Sequence, residues 1–194
     1  MRTAFMPEHP VIAFASAAAF RKWLARHHAD HSGIWLKIAK KASGIPTVTY
    51  AEALDEALCL GWIDSQKKSF DATAFLQKFT KRGKRSIWSK INVGHVTRLE
   101  KEGRMKPAGL AAVAAAKADG RWTAAYHSFS TAEMPDDFLT ALAREPDAKD
   151  FFDTLNKTQR YGFFFRITTA KKTETRSKRI ADFVTMLKRG ERLH

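Results

Sequence analysis

The sequence predicts an α+β fold: a small, mainly antiparallel sheet with flanking helices, followed by a C-terminal helical lobe. Three observations carry this. Apolar and polar residues alternate over 33–41, 62–70 and 74–81, the two-residue period of a strand. Between these stretches apolar residues recur at three- and four-residue spacing, the period of a helix with one buried stripe. Beyond residue 118 every periodic stretch is helical. Residues 1–118 are therefore expected to form an α+β domain, and 119–194 a helical region packed on it.

Taken in order, Ser16 caps a helix in which Ala19, Phe20, Trp23 and Leu24 face the core. His27, His28 and His31 follow it and invite a metal reading, but only Asp30 stands near as a further ligand, and a helix C-terminus by itself favours histidine. From Gly33, Ile34, Leu36 and Ile38 alternate with Trp35 and Lys37 as a strand with one buried face, and Gly44 and Pro46 end it. Thr49 and Glu52 form a capping box for a helix that closes on Gly61. Glu52, Asp55 and Glu56 suit its positive first turns, although Glu52 and Glu56 share a face and qualify as site acids. Trp62 to Phe70 and Ala74 to Lys81 read as a hairpin around Asp71-Ala72-Thr73. Ser89 is the expected cap of a helix through Val96 and Leu99 to Gly103, and Pro107 the expected start of an alanine-rich helix to Ala118.

Residues 119–133 read as a linker whose Trp122 and Tyr126 must pack against something. Helices are then opened by Met134-Pro135-Asp136-Asp137, by Pro146 and by the Asn156/Gln159 capping box. The last of these carries Tyr161, Phe163, Phe164, Phe165 and Ile167, too many apolar positions for one stripe, so it is expected to be buried on most sides. Thr173 opens the final helix, with Ile180, Phe183, Val184 and Leu187 inward and Gly190 at its end.

Composition narrows the function classes. The 194 residues are 44% hydrophobic and 28% charged, as in globular proteins, and one cysteine, Cys59, rules out a disulfide within the chain. No apolar run reaches the ~18 residues of a membrane span. Pro7, Glu8, His9 and Pro10 separate the apolar stretch 11–20 from Arg2, which argues against a secretory signal and for a cytoplasmic location. The formal charge of +14 is unevenly placed: Ala72 to Leu99 holds seven Lys or Arg and no acid, Thr154 to Arg192 holds eleven against three acids, and Glu133 to Asp153 carries seven acids against two basic residues. Such a field favours anionic partners, among them nucleic acid, phosphorylated metabolites and lipid surfaces.

The candidate site lies in 50–92, where Trp62, Asp64, Arg85, Ser86, Trp88 and Asn92 fall near predicted element ends. Unpaired amides at a helix start, with two arginines and two serines just upstream, suit an anion. The spaced glycines of a phosphate loop are missing, and no cofactor or metal motif is present. The run from Lys171 to Arg179 has five basic residues; read as a solvated face it needs no function, and read as a site it brings Lys171, Thr173 and Arg176 to the same pocket.

Tyr50 with Glu52, the segment Glu56-Ala-Leu-Cys-Leu-Gly-Trp62-Ile-Asp64, Arg85-Ser86-Ile87-Trp88-Ser89 with Asn92, Gly103-Arg104-Met105 with Pro107 and Gly109, and Ala170-Lys171 with Thr173-Glu174-Thr175-Arg176 resemble the YdeI/OmpD-associated family from Trp23 to Leu187. Lys81-Arg82 departs from the Pro-Arg the family often has there. The resemblance implies a role in protection against bacteriocins or cationic antimicrobial peptides, at or near the cell envelope, and brings no catalytic residue or cofactor with it.

Three functions are thus open. The first is binding of a small anion (phosphate, nucleotide or carboxylate) in a tryptophan-lined basic pocket. The second is an enzyme with Asp64 or Glu52 as general base beside Ser86 or Ser89, although neither serine lies in a nucleophile elbow. The third is non-specific nucleic-acid binding through the stretches 78–90 and 171–179.

Overall fold

A computed structural model describes residues 9–128 and 131–193. The expected separation of 11–20 from Arg2 by Pro7 and Glu8, and residues 129–130 of the expected linker, lie outside the described residues. The fold is α+β, and the chain forms two compact units. One holds the chain up to Trp88 together with Asn92–Ala124; the other holds Ser89–Ile91 and the chain from Ala125 on.

In the N-terminal unit, β1 (Val11–Ala13), β2 (Gly33–Ala39), β3 (Trp62–Ser69) and β4 (Ala74–Lys81) form one sheet in the order β1-β2-β4-β3. The β2–β4 and β3–β4 pairs are antiparallel as expected, whereas β1 adds a short parallel edge that three residues of sequence do not announce. The hairpin turn is built by Asp71, whose carboxylate accepts from the Thr73 and Ala74 amides and the Thr73 hydroxyl. Those donors, Thr73 foremost, hold the Asp71 carboxyl down at about 2. A bulge between Asp64 and Lys67 ends the buried part of β3.

Helix α1 (Ala17–His27) starts on Ser16, whose hydroxyl accepts from the Ala19 amide, and α2 (Tyr50–Cys59) starts on the reciprocal Thr49/Glu52 box. Phe20 and Leu24 of α1 and Ala53, Leu54, Ala57 and Leu58 of α2 join Ile34, Leu36, Trp62 and Phe79 in a core closed to solvent. Trp35, on the opposite sheet face, is also buried, with the ammonium groups of Lys68 and Lys78 over its ring. Helix α3 (Lys90–Lys101) begins right after Ser89, and α4 (Pro107–Ala118) begins at its proline. At the approach of α4 to the end of α2, Gly61 adopts φ +73° and the Cα of Gly109 lies directly against the Cys59 carbonyl, so both positions require glycine. Trp122, from the expected linker, packs edge-on against Trp88.

In the C-terminal unit, α5 (Asp136–Ala143), α6 (Pro146–Thr154), α7 (Lys157–Thr168) and α8 (Thr173–Lys188) enclose Phe138, Leu142, Phe152, Phe163, Ile167, Phe183 and Leu187. The Asn156/Gln159 box caps α7 as predicted. Tyr126 meets Phe165 edge-on, and Phe163 and Phe164 are buried on α7, so the aromatic run is divided among several neighbours.

Part of the basic run at the start of α8 holds the fold together. Arg176 forks onto both oxygens of Asp137 at 2.8 Å and donates to the Ile167 carbonyl, while Arg179 donates to the Arg166 carbonyl, so two last-turn carbonyls of α7 are satisfied by α8. Arg176 also depresses the Asp137 carboxyl. Arg176→Ala is expected to cost about 1 kcal/mol, because Asp137 is half exposed and solvent screens the pair. A depressed carboxylate contributes above its unfolded pKa of ~4 and loses that contribution as pH falls through the lower folded value. Acid titration followed by circular dichroism should therefore show a smaller stability loss between pH 5 and 3 in the variant than in the wild type; equal slopes would mean the pair contributes nothing.

Candidate functional site

The residues expected to form the site are placed as follows. Trp62 is closed to solvent, donates Nε1–H to the His28 carbonyl at 3.1 Å and stands edge-on to Trp23. Two residues on, the Asp64 carboxylate accepts from the Tyr50 hydroxyl at 2.8 Å. Burial and then this hydrogen bond raise the Tyr50 pKa, so the phenol stays protonated. Trp88 is 2% exposed, with the Arg82 guanidinium 3.7 Å from the centre of its ring. Its Nε1 has no hydrogen-bond partner among the described residues. Ser86 tightens the turn, its hydroxyl accepting from the Gly83 amide and its carbonyl from Arg121. Arg85 is exposed, and Asn92 lies half-buried in the first turn of α3. Lys171, Thr173 and Arg176 belong to the C-terminal unit, the first two exposed and the third bound to Asp137.

Within the N-terminal unit a cleft of about 450 Å³ opens at other residues, lined by Arg21, Ala25, Glu56, Cys59, Leu60, Gly103, Arg104 and Lys106. Its wall is a buried carboxylate held by two arginines. Glu56, 3% exposed, takes a bidentate fork from Arg21 Nε and Nη2, both at 2.7 Å, and a third hydrogen bond from Arg104 Nη2 at 2.9 Å. The hydrogen bond to Glu56 and then its charge raise the Arg21 pKa. A buried carboxylate needs such saturation, since an uncompensated charge inside the fold is costly.

A second layer steadies the first. Arg104 Nη1 donates to Glu102 at 3.1 Å and lies 3.6 Å from Asp55; Arg98 donates from Nη2 to both Asp55 oxygens and from Nη1 to Glu102, and His95 Nδ1 is 3.0 Å from Asp55. Burial alone would raise the Asp55 pKa, but Arg98 and His95 outweigh it and leave the carboxyl below its usual range. Arg21 Nη1, Arg104 Nε and Lys106 Nζ, on three residues that line the cleft, carry no hydrogen bond among the described residues. Burial first, then the Glu56 charge, pushes the Cys59 thiol up to about 11, and Cys59 is therefore a neutral wall of the cleft and not a thiolate nucleophile.

The chain was compared with known families and proteins. Residues 12–112, more than half of the chain, match a domain of unknown function, DUF8412. Residues 131–190 match the family described as Bacteriocin-protection, YdeI or OmpD-Associated. The chain is a DUF8412 protein with a YdeI/OmpD-associated domain. No curated protein and no solved structure gives a match.

The DUF8412 region contains every residue that lines the cleft, and none of the lining residues belongs to the stretch that matches the YdeI/OmpD-associated family. The cleft residues were present in the sequence without a signal that joined them. Glu56 stood among the candidate acids, and Arg104 and Cys59 lay inside the segments that carried the family resemblance, yet 35 residues separate Arg21 from Glu56 and 48 separate Glu56 from Arg104. The detectable sign was Glu56 itself: an acid on the apolar stripe with Ala53 and Leu60 must find a cation inside the fold. Among the described residues no three His, Cys, Asp or Glu side chains are grouped to hold a metal; His27 and His31 pack on Trp23 instead. No helix is long and apolar enough to cross a membrane among the described residues.

Proposed function

We propose that this protein binds a small organic anion in the cleft of its DUF8412 region. The observation that supports this most directly is Lys106: it lines a ligand-sized concavity, its ammonium without a partner among the described residues, together with two arginines that are already fixed by Glu56. Fixed guanidinium groups cost no ordering when a ligand arrives, which is the usual advantage of a preorganised site. Asp64, the base of the enzymatic alternative, is not part of the cleft lining, and the cleft's own acid is saturated by arginines. A binding function therefore fits this geometry better than acid–base catalysis does.

The turn at Arg85 and Ser86, with Asn92, is a separate proposed anion contact within the N-terminal unit, and two variants discriminate between it and the cleft. Thermal unfolding of the wild type should be raised by a small organic anion at constant ionic strength. Lys106→Gln should weaken that effect about tenfold in concentration, the equivalent of one charged hydrogen bond. Arg85→Ala should leave it unchanged. The reverse pattern would move the site to the 85–92 turn, and a wild type indifferent to every anion would remove the function.

A protective role against bacteriocins follows the family description and is proposed on that footing. With a net charge of +14 the chain repels cationic peptides, so protection would run through the bound anion rather than through capture of the peptide. The nucleic-acid alternative rests on the same charge alone; binding whose affinity barely changes between 50 and 200 mM salt, as flagged by slopes of roughly −0.7 per neutralised phosphate, would eliminate it.

A further inference from the structure

We infer that the anion is a singly charged carboxylate with a short aliphatic body, an inference that rests on anion binding at this cleft. Charge, donors and walls each point there. Arg21, Arg98 and Arg104 meet Asp55, Glu56 and Glu102 in one connected network, three positive charges against three negative, and Lys106, which lines the cleft outside that network, adds a single uncompensated positive charge. A carboxylate neutralises it. The second charge of a phosphate monoester would meet the buried Glu56 carboxylate with no cation left over.

The unused N–H groups of Arg21, Arg104 and Lys106 can serve the two oxygens of one carboxylate. The rest of the lining is Ala25, Leu60, Gly103 and the Cys59 thiol, together with the methylene stems of the cationic residues. No aromatic side chain lines the cleft, so it has no face on which to stack a nucleobase, and no hydroxyl or amide side chain lines it. What it provides beyond the cationic groups is apolar surface, which rewards methylene groups.

Calorimetric titration at pH 7.5 and constant ionic strength, with acetate, butyrate, hexanoate, octanoate, inorganic phosphate and methyl phosphate as probes, tests this. The expected result is affinity rising about fourfold per added methylene until the cleft is filled, the ratio that corresponds to ~0.8 kcal/mol per buried methylene. Methyl phosphate should bind at least about tenfold more weakly than butyrate. Lys106→Gln, which removes no hydrogen bond or ion pair among the described residues, should weaken every carboxylate by a similar factor and leave the increment per methylene intact. Phosphate binding tighter than butyrate would overturn the carboxylate assignment while anion binding stands. Affinity independent of chain length would overturn the aliphatic body, and no heat with any probe would overturn anion binding itself.

Discussion

Gly109→Ala is expected to destabilise the N-terminal unit by about 3 kcal/mol, although helix propensity alone predicts a gain of about 1 kcal/mol for the same change. Gly109 is the third residue of α4, in a run of alanines where another alanine would be unremarkable. A Cβ there would overlap the Cys59 carbonyl oxygen and lie 2.8 Å from its carbon and 2.9 Å from the Leu58 carbonyl oxygen. All three are backbone atoms at the end of α2, so no rotamer change relieves the clash and α4 must move away. The Lys106 amide, which donates to the same Cys59 carbonyl at 3.0 Å, would move with it and open the cleft. Urea unfolding measures the sign directly. A variant as stable as the wild type would mean that α2 and α4 are not in backbone contact.

Glu56→Gln should give a loss of about 2–3 kcal/mol, since it leaves two arginines facing an amide whose NH₂ cannot accept. Arg21 is half exposed and regains water, which keeps the loss below that of a fully buried pair. The same change separates a binding site from a structural salt bridge. Removing a negative charge from the wall of an anion site raises anion affinity by about tenfold, the effect of one charge at roughly 5 Å in a medium of intermediate dielectric. The expected signature is thus a lower melting temperature without ligand and a larger anion-dependent rise. A variant that is destabilised and gains nothing from carboxylates would assign Glu56 to architecture alone.

Helices and strands were legible because their causes are local. Thr49 with Glu52 and Asn156 with Gln159 interact across three residues, Pro107 sets its own φ, and Gly61 ends α2 where only an unbranched backbone adopts φ +73°. The hairpin around Asp71 was equally local. Trp35 misled the facial reading of β2, because lysine stems bury a ring that alternation assigns to the polar side. The basic run 171–179 looked like either a solvated face or a pocket; Arg176 and Arg179 in fact also bind the α7 carbonyls, a part that sequence spacing does not reveal.

The sequence by itself determined the helices α1 to α8 and the strands β2 to β4, the caps at Ser16, Thr49/Glu52 and Asn156/Gln159, the excess of positive charge and the family resemblance, since each depends on neighbours within a few positions or on composition. Tertiary structure alone decided which charges meet. Arg21, Glu56 and Arg104 come from three separate segments, and their pairing follows from how α1, α2 and the turn before α4 pack, which no short-range rule encodes. The same holds for Gly109: the residue is indifferent within its own helix and obligatory only because another backbone passes within contact distance.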